Sequence, residues 1–123
     1  LEHFDSLSCL HALEHFGLGR YGDKLDSDGH IKGFLNLYKL LKPGGILYLS
    51  VPIGPTRIEF NAHRVFSISY LFELINKNYV IKEFSYVDDI GNINKNVFLN
   101  EKLISSNCNC NYGCGIFELI KNV

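Results

Sequence analysis

The stretch "LLKPGGILYLSVPIG", residues 40–54, constrains the chain more than any other. Pro43 cannot continue a helix, because it has no amide hydrogen and its ring crowds the preceding turn. Gly44 and Gly45 can take the positive φ angles of a tight reversal. Residues 46–51, ILYLSV, then run apolar on both faces. A strand with one wet face alternates, whereas an unbroken apolar strand sits centrally in a parallel sheet with helices on both sides. The expected unit is a helix, a tight turn, a buried parallel strand and a rigid loop through Pro52, Ile53 and Gly54.

Periodicity elsewhere extends this unit. Ile31, Phe34, Leu35, Tyr38 and Leu41 share the spacing of one helix face, with Asp28 or Ser27 placed to cap it. Ile68, Leu71, Phe72 and Ile75 define a second amphipathic helix, with Ser67 as its cap. Residues 5–10 read as a short strand, 11–16 as a helical turn, and 79–87 and 115–120 as further strands. The segments 52–66 and 88–112 read as a loop and a mainly irregular excursion. No repeat or linker divides the chain, so residues 1–123 are expected to form one α/β domain.

Composition narrows the class. The 12 basic and 13 acidic residues nearly cancel, and Lys and Arg are scattered, which argues against a nucleic-acid or anionic-membrane partner. Apolar runs fall well short of the roughly 20 residues that span a bilayer. Four cysteines, three of them crowded near the C-terminus, make no disulfide framework, which points to a reducing, cytoplasmic setting. The sequence starts at Leu1 and contains no methionine, so it is expected to be part of a longer protein.

Three blocks carry a family resemblance. "FDSLSCLHALEH" is similar to the fourth strand and following turn of class I S-adenosylmethionine-dependent methyltransferases, and "LLKPGGILYLSVP" to their passage from helix into fifth strand. The more local pieces "LHALEHFGLGRYGD", "YLSVPIG" and "EFNAHRVFS" resemble a narrower family catalogued as domain of unknown function 268. The implied fold is the C-terminal half of a Rossmann-like α/β methyltransferase, mostly parallel with a final antiparallel strand. The superfamily's glycine-rich loop and its acidic ribose-binding residue precede the fourth strand, where this sequence begins. Most of the grip on S-adenosylmethionine is therefore expected outside these residues, leaving Ser8, Cys9, Leu10 and His11 at the strand end as cofactor contacts, with Cys9 itself read as a small core residue whose end of the strand borders the cofactor. The free flank of that strand invites self-association.

The resemblance also places the rim residues. Ligands of such sheets lie beyond the carboxyl ends of the parallel strands. His63 is the expected general base for a small-molecule acceptor such as a sugar or polysaccharide precursor, since methyl transfer needs a nucleophile freed of its proton. The bland alternative is that His63 pins its loop to a backbone carbonyl. Glu14 and His15 flank the methionine moiety in the resembled turn; some ubiquinone-pathway O-methyltransferases hold a divalent ion there. The competing reading is that they only brace the loop. Arg20, Tyr21 and Asp23 in a glycine-punctuated loop, and Arg57, Asn61 and Arg64 after the buried strand, are the expected substrate contacts; the competing reading of the first loop is a solvated connection with Arg20 salt-bridged to Asp23.

Two metal readings are disfavoured. His11, Glu14 and His15 spell H-x-x-E-H, but Gly17 and Gly19 end the helix that a zinc protease needs. Cys108, Cys110 and Cys114 lack paired C-x-x-C spacing, so "NCNCN" reads as a flexible tip in which Cys108 and Cys110 are dispensable. No metal is assigned. The alternative to an enzyme is a non-catalytic remnant or binding module that keeps the half-sheet and its rim.

Overall fold

The structure, a computed structural model, describes residues 3–18, 27–59 and 63–122. Strand β1 (Phe4–Leu10) leads to a single 3-10 turn at Leu13–His15, then helix α1 (Gly29–Leu40) and strand β2 (Leu41–Ile53). A short hairpin of β3 (Arg57–Glu59) and β4 (His63–Val65) precedes α2 (Ile68–Asn76) and β5 (Tyr79–Val87). The chain finishes through β6 (Ile93–Asn94), α3 (Glu101–Ser106), a turn at Asn107–Asn109 and β7 (Gly113–Lys121).

Five strands form one sheet in the order β1-β2-β7-β5-β6, and β3 pairs with β4 apart from it. β1 and β2 are parallel, while β7 runs antiparallel to both β2 and β5. The fold is α/β, but the sheet is mixed rather than mostly parallel. The last strand inserts between β2 and β5, so each of those strands meets an antiparallel neighbour there.

Strand partners point to the same face of a sheet. Leu47 with Leu119, and Cys9 with Leu49, Phe117 and Phe84, occupy the buried face. Phe34 of α1 and Ile68, Leu71 and Ile75 of α2 pack there, with Leu103 and Ile104 of α3 against them. Fully burying each large aliphatic or aromatic side chain stabilises the fold by roughly 1.5–3 kcal/mol. The opposite face carries Ser8, Tyr48 and Glu118 in register, and Tyr48 is 41% exposed. The expected burial of β2 on both faces thus fails at Tyr48, because the helices that form the core lie on one side.

The Pro-Gly-Gly break also takes another role. β2 already begins at Leu41, directly after α1. Leu41 and Ile46 face Phe4 and Ser6, so residues 42–45 form a bulge inside the strand rather than a turn before it. Gly44 supplies the left-handed residue the bulge needs, with φ +78°.

α1 is turned relative to its expected stripe. His30 and Phe34 are buried, whereas Ile31 and Leu35 are exposed. Asp28 holds the N-cap position without a side-chain capping bond. At the other end the buried Lys121 ammonium donates to the Tyr38 and Leu41 carbonyls at 2.8 and 2.7 Å and lies 4.1 Å from the Tyr38 ring centroid. A cation there offsets the negative end of the helix.

α2 begins as expected: Ser67 Oγ accepts from the Tyr70 amide, and Asn107 Oδ1 accepts from the Ile68 amide at 2.8 Å. The second cap comes from a segment expected to be a loose tip. Asn107, Cys108 and Asn109 are all left-handed, and the Cys108 and Cys110 side chains are buried in the core. The excursion over 88–112 therefore holds β6, α3 and a core-facing turn. Among the described residues no helix is long and apolar enough to cross a membrane.

Candidate functional site

The carboxyl ends of β1 and β2 meet the start of β7, and the β3–β4 hairpin folds beside them. At the end of β1, His11 adopts a left-handed conformation, φ +52°, and its amide donates to the Ser50 carbonyl at 2.9 Å. That reversal feeds the 3-10 turn, which sinks Leu13 and Glu14 into the protein. Glu14 is 2% exposed.

Two linked groups of side chains result. In the first, Cys114 Sγ lies 3.1 Å from His11 Nε2, and His11 Nδ1 lies 3.4 Å from Glu14 Oε2. His15 Nε2 approaches the same carboxylate oxygen at 3.7 Å. Glu14 Oε1 has no hydrogen-bond partner among the described residues. Burial, and then the Glu14 carboxylate, push the Cys114 thiol up from its ordinary value.

In the second group, the His15 and His63 rings meet edge to face with centroids 5.9 Å apart, and His63 Nε2 is 2.8 Å from the Tyr112 hydroxyl. The Arg57 guanidinium lies 6.0 Å from the Tyr112 ring centroid and donates to Glu59 at 2.7 Å and to the Pro55 and Asn111 carbonyls. Asp89 fixes the turn that carries Tyr112, accepting from the Asn111 and Tyr112 amides at 2.8 and 2.9 Å. Those two bonds lower the Asp89 carboxyl below its ordinary value. Gly54 allows the approach, because a Cβ there would stand 2.1 Å from the Asn111 carbonyl oxygen.

The structure thus gathers His11, Glu14, His15 and His63, and sets Arg57 beside them. Ser8 and Leu10 are exposed near the end of β1, but Cys9 is buried with the core. Arg64 is buried too: its guanidinium donates to the Phe16 carbonyl and, at 3.4 Å, to the Ser27 carbonyl. Arg20, Tyr21, Asp23 and Asn61 lie outside the described residues. Tyr112, Asp89 and the His11 contact of Cys114 had no local sequence signal; Cys114 and His11 are 103 positions apart.

Among the described residues no group of three or more His, Cys, Asp or Glu side chains is arranged to hold a metal ion. Cys9 faces away into the core, and neither the cavity of about 670 Å³ beside β5 nor that of about 270 Å³ beside α2 is lined by Ser8, Cys9, Leu10 or His11.

These observations define an α/β protein with a mixed five-stranded sheet and a rim of imidazoles, a thiol, a phenol and carboxylates. The chain belongs to the family described as Caenorhabditis protein of unknown function, DUF268, whose model matches residues 1–110. No curated protein matches it.

Proposed function

We propose that this chain is the acceptor-side half of a class I S-adenosylmethionine-dependent methyltransferase fold, working on a small-molecule acceptor. The observation that carries the reading is the arrangement of the strands. β1, α1 and β2 form a parallel βαβ unit, and the final strand β7 inserts antiparallel between β2 and β5, the antiparallel finish of the resembled half-fold. The rim beyond β1 and β2 is where ligands of open α/β sheets bind. Residues outside the described strands would hold the cofactor.

His63 is suited to take a proton from an acceptor hydroxyl. When its Nε2–H donates to the Tyr112 oxygen, Nδ1 carries the free lone pair, and it has no hydrogen-bond partner among the described residues. Arg57 lies on the same rim, anchored by Glu59, beside the Tyr112 ring.

Titration calorimetry tests the reading. The 123-residue chain should bind S-adenosylmethionine no better than about millimolar, worth only some 4 kcal/mol. If the coding sequence upstream of Leu1 specifies a strand and a glycine-rich turn, the protein including it should bind at micromolar levels. In that protein His63→Gln should lower kcat while leaving cofactor affinity unchanged. Micromolar binding by the 123-residue chain, or none by the extended one, would defeat the proposal, the latter in favour of a non-catalytic module.

A further inference from the structure

We propose that Cys114, His11 and Glu14 form a thiol nucleophile site that accepts the acyl group of a small ester or thioester. The three come from separate elements: the start of β7, the residue after β1, and the 3-10 turn. A nucleophile within hydrogen-bond reach of a base, which is itself oriented by a third group, is the recurring geometry of covalent catalysis.

The two ring nitrogens of His11 face different partners. His11 Nε2 faces the Cys114 thiol at 3.1 Å, and Nδ1 faces the Glu14 carboxylate at 3.4 Å. A neutral imidazole that accepts S–H at Nε2 carries its hydrogen on Nδ1, the nitrogen nearer Glu14. The carboxylate stands ready for the imidazolium that forms when the thiol gives up its proton. Two features separate this from ordinary packing. Glu14 is 2% exposed, with Oε1 unpartnered among the described residues, so its desolvation cost is left partly uncompensated. His11 holds a left-handed backbone, uncommon for a residue with a side chain and frequent at functional sites.

The thiol is also the accessible one. All four cysteines are free; Cys9, Cys108 and Cys110 are buried, and Cys114 is partly exposed. Burial keeps Cys114 a neutral thiol at rest, so the proton leaves as the bond to carbon forms. In that step sulfur attacks the ester carbonyl, and the S–H proton passes to His11 Nε2. The carbon–oxygen bond breaks, and the alcohol departs with that proton. Water then attacks the thioester and gives a proton to His11, which returns it to sulfur as the carbon–sulfur bond breaks. The net change is ester plus water to carboxylic acid plus alcohol.

p-Nitrophenyl acetate is the probe. The chain should release p-nitrophenol in a burst and carry an acetyl group on Cys114, located by peptide mass spectrometry. Cys114→Ala should abolish the adduct. His11→Asn keeps a residue tolerant of the left-handed backbone and should slow acetylation about a hundredfold, the usual scale of a lost general base. Glu14 acts through His11, so Glu14→Gln is read by the imidazole ¹⁵N shifts, which should lose the Nδ1–H form. Circular dichroism checks that each variant is folded. Acetyl spread over the buried cysteines, or a folded His11→Asn chain acetylated at the parent rate, would overturn the site. S-adenosylmethionine plays no part in these readouts, so they stand or fall apart from the methyltransferase proposal.

Discussion

At the scale of single residues, Asp89 shows how an exposed side chain governs the rim. It holds the Asn111 and Tyr112 amides, and Tyr112 in turn holds His63. Its carboxyl lies below the ordinary 3.8 because those bonds favour the charged form. The stabilisation is therefore present above the unfolded value and is lost as pH falls through the lowered folded one. Amide spectra should show the Tyr112 cross-peak shifting in that acid range, and Asp89→Asn should give the acid-like spectrum at neutral pH; a Tyr112 peak indifferent to both would refute the coupling. Cys108 and Cys110 invert the expectation drawn from their Asn-rich surroundings. Both side chains sit in the apolar core, and that burial pushes each thiol up to about 11. Replacing either with Ser should cost about 1–3 kcal/mol in urea unfolding, the penalty of an imperfectly paired buried hydroxyl. Unchanged midpoints would mean the turn is as loose as its composition suggested.

At the scale of elements, strands and helices were legible wherever apolar residues ran or recurred. β1, β5, β7 and α2 follow the expected segments closely. The buried face of α1 departs from the apolar stripe because it includes His30, whose Nε2 lies 2.6 Å from the Tyr70 hydroxyl. A histidine satisfied by a distant partner looks polar in sequence and behaves as core. Pro43 and the two glycines announced a break, and only strand pairing decided that the break is a bulge. Gly44→Ala should destabilise the chain by about 1–2 kcal/mol, the cost of a Cβ in the left-handed region, although nothing lies within 4 Å of that Cβ. A thermal shift of zero would exclude that backbone conformation. Lys121→Met removes the donor from the Tyr38 and Leu41 carbonyls. It should cost about 1–3 kcal/mol, with hydrogen exchange quickened first in the last turn of α1.

At the scale of the molecule, the site was half legible. The His and Glu side chains of the 3-10 turn, and His63, stood out in sequence, and the fold does bring them together. Their partners Cys114 and Tyr112 come from the opposite end of the chain, and no spacing rule reaches that far. The sheet itself adds a property that local patterns do not show. β1 is its outer strand, bonded in the described sheet to β2 alone, with Ser6, Ser8 and Leu10 exposed. Such an edge is a template for another strand, and self-association is the expected result. Sedimentation should show it, and Ser6→Lys should weaken it; a monomer at all concentrations would count against it. A strand that docks only on the folded form also obeys mass action, adding about 2.7 kcal/mol when present at a hundred times its Kd. The melting temperature of this chain should then climb with its own concentration, making stability a property of the solution rather than of one molecule.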